Sequence, residues 1–215
     1  EKVMPQGIAT IVQRRLARVP KAAHQLLNLA AVAGRALDLA VIEAVANSGL
    51  PNERMMVGTG AAAVADAVHL TRCVADAGLA GALVLPPFYF KDPSLAGLLR
   101  YFESIVKATQ KDELDIYLYN FPALSGIAYS KELVTALITE FGTRIVGLKD
   151  SSGDMAYATD MATSFKNMNI FPSNEATLMQ GREGTFAGCI SATANLSAKL
   201  CVEAFEQGNE ASLNT

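Results

Sequence analysis

Cysteine and histidine are scarce in this chain of 215 residues, with three of the first and two of the second. Cys73, Cys189 and Cys201 are odd in number, widely spaced and form no C-x-x-C pair. That argues against a disulfide framework or a zinc site, and it points to a reducing, cytoplasmic setting. His24 and His69 both lie in helical patterns with no nucleophile motif beside them, so a Ser-His-Asp or Cys-His mechanism lacks its base. Charged residues make up only 18%, with a net charge of −3. No basic face is visible, which argues against nucleic acid as a partner. No apolar run reaches the roughly 18 residues needed to span a bilayer, and the N-terminus has no signal-peptide pattern. No G-x-G-x-x-G follows any apolar run, since "GTGAAA" (58–63) lacks the third glycine, and this lowers the dinucleotide-fold reading. What remains is a composition that is 51% hydrophobic, enough to fill one large domain or two small ones.

From Met55 onward short apolar runs alternate with longer amphipathic ones. The short runs are "RMMVGTG" (54–60), "AGALVLPPF" (80–88), "LDIYLYNFP" (114–122), "RIVGLKD" (144–150), "NIFPSNE" (169–175) and "TFAGCISATA" (185–194). Helical patterns separate them over 62–78, 94–109, 130–142, 154–165 and 175–184. Gly78 and Gly142 are natural stops, and Ser94 and Ser130 natural starts. Strand and helix in strict alternation predict a parallel sheet. The even repeat favours a (β/α)8 TIM-type barrel, with a doubly wound sheet as the alternative. Six βα units are recognisable over residues 51–215, where a complete barrel has eight. Residues 1–50 do not follow the rhythm. They are rich in alanine and leucine and read as two or three helices, broken near Pro20 and Gly34, with "GIATIV" (7–12) as the only strand candidate. The first two βα units are therefore missing or atypical.

The polar residues of the short runs gather at their C-terminal ends: Thr59, Tyr89, Tyr119, Asn120, Lys149, Asp150, Asn174, Glu175, Ser191, Thr193 and Asn195. That end carries the active site in β/α folds. Lys149 is the most informative, because it closes the buried run of Ile145, Val146 and Leu148. A desolvated lysine loses its charge more readily, and its free amine attacks a ketone to form a Schiff base. Tyr119, at the end of the preceding run, is placed to relay the protons. The plain alternative is a solvated lysine paired with Asp150, and pattern alone leaves both open.

Four stretches together, "VGTGAAAVADAVHLTRCVADAGLAGALVLPPFYF", "YLYNFPALSG", "IVGLKDSSGD" and "FAGCISATANLSA", resemble the dihydrodipicolinate synthase / N-acetylneuraminate lyase family over about residues 53–208. The resemblance implies a class I aldolase on a (β/α)8 barrel, needing no metal or organic cofactor and built as a homo-oligomer. It implies that Lys149 binds the keto carbon of a small-molecule keto acid such as pyruvate, and that Tyr119 is the acid/base. Tyr89 would reach into a neighbouring subunit's site to complete a proton relay. Asn174, Glu175 and Ser191 fall where sugar-acid lyases of the family hold the hydroxyl tail of the substrate, although turn and cap roles explain the same residues equally well.

Two departures refine that expectation. Synthases of the family place an arginine shortly after the tyrosine–asparagine motif to grip a carboxylate, and here Leu124 stands near that place. Leucine makes no bidentate contact, so the resemblance favours a lyase or dehydratase of a 2-keto-3-deoxy sugar acid over dihydrodipicolinate synthase. The glycine–threonine/serine–glycine motif that binds the pyruvate carboxylate in the family is absent from residues 1–50. A truncated or chimeric barrel serving as a scaffold or assembly module is the competing expectation.

Overall fold

The computed structural model describes residues 37–110 and 114–208, with side chains from residue 41. The helix breaks near Pro20 and Gly34 and the strand candidate at 7–12 lie outside the described residues. In chain order the elements are α1 (Leu37–Ala46), β1 (Met56–Gly58), α2 (Val64–Asp76), β2 (Gly81–Val84), α3 (Leu95–Ala108), β3 (Asp115–Asn120), α4 (Pro122–Ser125), α5 (Lys131–Phe141), β4 (Ile145–Asp150), α6 (Met155–Ser164), β5 (Asn169–Pro172), α7 (Leu178–Arg182) and α8 (Ala194–Gln207). Helix starts follow local chemistry. The Ser94 and Ser130 hydroxyls accept from the N–H groups of Gly97 and Leu133, and Asp154 accepts from Ala156 and Tyr157, each filling donors that the first turn leaves free.

All four strand pairings are parallel, and the order is β1-β2-β3-β4-β5. Each strand thus lies beside its successor. A doubly wound sheet reverses its order partway, whereas a barrel winds in one direction, so the order identifies the TIM-type architecture. Among the described residues β1 is an open edge. The sixth apolar run forms no regular strand. Ala187 N–H donates to the Ile170 carbonyl and Ile190 N–H to that of Pro172, both at 3.0 Å, so residues 187–190 run along β5. Gly188 between them has φ of +148°, outside extended geometry, and the ladder is broken there.

The core lies between the outer face of the sheet and the helices. Val84, Ile116, Leu118 and Leu148 are fully buried against Val74 of α2, Phe102 and Ile105 of α3, and Val134 and Leu137 of α5. Ile42 of α1 joins the same core. The inner face is built differently. Tyr117 extends across its neighbouring strands, and a Cβ at Gly81 would lie 3.0 Å from its ring, one at Gly147 only 2.7 Å from it and 2.6 Å from the Asn169 carbonyl. Two glycines therefore make room for one aromatic ring.

Gly147→Ala is expected to destabilise the fold by about 1–3 kcal/mol, as overpacking does. In a chain of this size that lowers Tm by roughly 2–4 °C per kcal/mol, measurable by calorimetry. A melting temperature equal to the parent's would show that Tyr117 is not wedged as described.

Candidate active site

β3 and β4 pair with Tyr119 opposite Lys149 and Asn120 opposite Asp150, and their register shifts between Ile116 and Tyr117. Ile116 faces Ile145 and Tyr117 faces Gly147, so Val146 is the extra residue of a one-residue bulge. The shift decides where the lysine points. Ile145 and Leu148 are both buried on the helix side although three residues apart, which strict alternation forbids. The bulge absorbs the odd residue, so Gly147 and Lys149 share the inner face with Tyr117 and Tyr119.

On that face Lys149 is 8% exposed. Its Nζ donates to the Tyr119 hydroxyl at 3.1 Å and to the Ser151 hydroxyl at 2.5 Å. Nζ also lies 4.2 Å from the centre of the Tyr119 ring, and Phe121 stacks on that ring at 5.9 Å. Ser151 was not singled out from the sequence, although its i+2 spacing from Lys149 on an extended segment was signal enough. The plain alternative of a solvated lysine paired with Asp150 does not hold, because the Asp150 carboxylate bonds on the other face of the sheet, to Asn120 and Ser152.

The remaining strand-end residues divide. Thr59 turns to the helix side, fully buried, and accepts from the Thr71 hydroxyl at 2.9 Å. Asn120 is buried on the same side. Tyr89 is 71% exposed and packs edge-on against Phe90, itself 69% exposed; neither belongs to the Lys149 hydrogen-bond group. The Asn174 side chain accepts from Ala176 N–H at 3.0 Å as the cap of a 3-10 turn. Glu175 and Ser191 do come together. Thr193 Oγ1 donates to the Glu175 carboxylate, and the Ser191 and Thr193 hydroxyls lie 2.8 Å apart. Leu124 stands in α4, the short helix after β3, 58% exposed.

Burial raises the pKa of the Tyr101, Tyr129 and Tyr157 phenols. Their hydroxyls donate to the carbonyls of Leu85, Val84 and Tyr129 respectively, so they serve as fixed donors. Burial, with Cys201 and Glu175 nearby, pushes the Cys189 thiol up to about 11, so it is no thiolate at neutral pH. Among the described residues no group of three or more His, Cys, Asp or Glu side chains is placed to hold a metal ion, and no helix is long and apolar enough to cross a membrane.

Partial burial alone would raise the Glu175 pKa, but hydrogen bonds from Thr193, its own backbone N–H and Ser191 reverse this and hold it below the usual 4.5. A depressed carboxylate pKa adds stability that is complete above the ordinary value and fades as the pH falls through the lowered one. In Thr193→Val the deficit in unfolding midpoint is expected to be constant above about pH 5 and to shrink below it. A deficit independent of pH would mean that the hydroxyl does not bond the ionised carboxylate.

The family model of the dihydrodipicolinate synthetase family matches residues 38–215. An uncharacterised DapA-like lyase of Chloroflexus aurantiacus is 33% identical over 159 residues, which is 73% of this chain and 53% of that protein. A 4-hydroxy-tetrahydrodipicolinate synthase of Thermus thermophilus is 32% identical over 155 residues, 72% of this chain and 50% of that one. The chain spans about half the length of these curated relatives. Among solved structures, dihydrodipicolinate synthase of Agrobacterium tumefaciens superposes with a TM-score of 0.75 at 25% identity, covering 88% of this chain and 70% of that chain. A prophage protein of the dihydrodipicolinic acid synthase family from E. coli K12, solved in complex with pyruvate, gives 0.72 at 25% identity, covering 84% and 61%.

Proposed function

Because the chain belongs to the dihydrodipicolinate synthetase family, we propose that it is a Schiff-base-forming lyase that cleaves or forms a C–C bond in a 2-keto-3-deoxy sugar acid or related hydroxy keto acid, with pyruvate as one product. The carrying observation is the arrangement around Lys149 Nζ. The Tyr119 and Ser151 oxygens both accept from it, and among the described residues nothing else bonds the nitrogen, so its remaining side is open to a carbonyl carbon.

In the cleavage direction the Lys149 nitrogen adds to the keto carbon. Tyr119 passes a proton to the carbinolamine oxygen, water leaves, and an iminium forms. The Tyr119 oxygen then takes the proton of the substrate's C4 hydroxyl. The C3–C4 electron pair moves into the iminium, which releases an aldehyde and leaves an enamine. Protonation at C3 and hydrolysis return pyruvate and the free lysine. Loss of the C4 hydroxyl as water from the same Schiff base would give a dehydratase instead. Leu124 in place of a cation supports a substrate without a second carboxylate there. Glu175, Ser191 and Thr193 offer an acceptor and two hydroxyls at the rim, a set that suits a polyol tail, with Asn174 beside them. Exposed Tyr89 and Phe90 suit contact with a second copy, in which Tyr89 would complete the neighbour's relay.

Incubation with pyruvate followed by borohydride reduction is expected to add one covalent adduct by intact mass, mapped to Lys149 and absent from Lys149→Ala. Tyr119→Phe should still be trapped but lose about a hundredfold or more in turnover, the usual contribution of an acid/base group. No adduct in a protein shown to be folded would favour the scaffold reading.

A further inference from the structure

One residue beyond the Lys149–Tyr119 pair, on the opposite side of the same two strands, lies a second polar pair. Asn120 and Asp150 are 1% and 2% exposed. Asn120 Nδ2 donates to Asp150 Oδ1 at 2.7 Å, and Asn120 Oδ1 accepts from Tyr129 N–H at 3.1 Å. Asp150 also accepts from the Ser152 N–H at 3.0 Å and the Ser152 hydroxyl at 2.9 Å. Ser151 N–H donates to the Asn120 carbonyl at 2.7 Å. Tyr129 is fully buried; its hydroxyl donates to the Val84 carbonyl at the end of β2, and its carbonyl accepts from Tyr157 of α6.

We propose that Asn120 and Asp150 are a positioning pair that clamps the ends of β3 and β4 from the helix side and thereby holds Tyr119 and Lys149 at contact distance on the inner face. The proposal rests on the Schiff-base reading above. Its warrant is a comparison within the sheet. Two residues back, Leu118 stands opposite Leu148, both fully buried, so an apolar pair suffices to pack this face. Replacing such a pair by an amide and a carboxylate costs desolvation. What it adds is direction: both ends of the Asn120 amide are engaged, which fixes its orientation, and the carboxylate is held on both oxygens. Strand ends fray, and this is where the two reacting groups sit. Since Tyr119 immediately precedes Asn120 and Lys149 immediately precedes Asp150, locking the second pair sets the spacing of the first. Neither residue touches the substrate in this scheme.

The test uses Asn120→Asp, Asp150→Asn, the swap carrying both changes, and Asn120→Leu/Asp150→Leu, with thermal melts confirming folding. The readout is the rate of borohydride trapping of pyruvate against pyruvate concentration. Asn120→Asp opposes two carboxylates, and its saturating rate is expected to fall about tenfold to a hundredfold, as misplacing reacting groups by a fraction of an ångström to an ångström does. The swap restores an amide–carboxylate bond across the rung and keeps an acceptor for the Ser152 hydroxyl, while the Ser152 N–H loses its own, so it should recover part of the rate and exceed both single variants. The double leucine variant should fold yet trap slowly, with half-saturation little changed. A folded double leucine variant trapping at the parental rate, or a swap no better than its single parents, overturns the proposal; if Asn120→Asp does not fold, these two variants decide. If the parent itself forms no pyruvate adduct, the Schiff-base reading fails instead. The clamp is then read from reductive methylation of Lys149 by formaldehyde and cyanoborohydride: the same rank order supports it, and equal rates in all variants overturn it.

Discussion

The ladder between β3 and β4 is the constraint on which the site depends. A parallel pairing places each residue beside a fixed partner, and here the last two rungs carry four different tasks. The inner rung joins a phenol to an amine, and the outer rung joins an amide to a carboxylate. Neither pair is close in sequence, being 30 residues apart, so only strand pairing brings them together. α3, α5 and α6 matter to the chemistry indirectly, because their side chains cover the outer face of these strands and keep water from it.

The two faces of the sheet obey different packing rules. The outer face is aliphatic and closes against helices, with large side chains filling it completely. The inner face mixes glycine with single large rings. Gly81 and Gly147 yield their space to Tyr117, and Phe121 backs Tyr119 from the rim. This gives the lysine a rigid aromatic wall on one side and hydroxyls on the other. A side chain with four rotatable bonds is thus held with few alternatives, which suits the proposed attack on a carbonyl carbon along one approach.

Much of this was legible in the sequence. The alternation of short apolar runs with amphipathic ones located five strands, and Ser94, Ser130 and Gly142 marked helix ends because caps act locally. The pairing of Tyr119 with Lys149 followed from their places at the ends of successive strands. Features that depend on relations between strands were not legible. Position along the chain groups Thr59 and Asn120 with the site, yet both turn to the helix side. The last apolar run was expected to be a strand, and Gly188 interrupts it. Ser151 carries no apolar signal of its own, because it lies past the end of the run, where strand periodicity still holds.

The bulge at Val146 gives β4 something like a reading frame. Before it, odd positions face the helices; after it, odd positions face the lumen. The lysine is thus correct only by virtue of an offset introduced three residues earlier, and that offset has no chemistry of its own. Pairing β4 in strict alternation from Ile145, with Val146 taking a rung of its own, would leave every side chain present and every strand intact. It would also move the amine into the oily layer and bring Leu148 to the place where the amine now stands. A slip of one residue in pairing, at a position that touches nothing reactive, would therefore be read by the site as a change of all its contents at once.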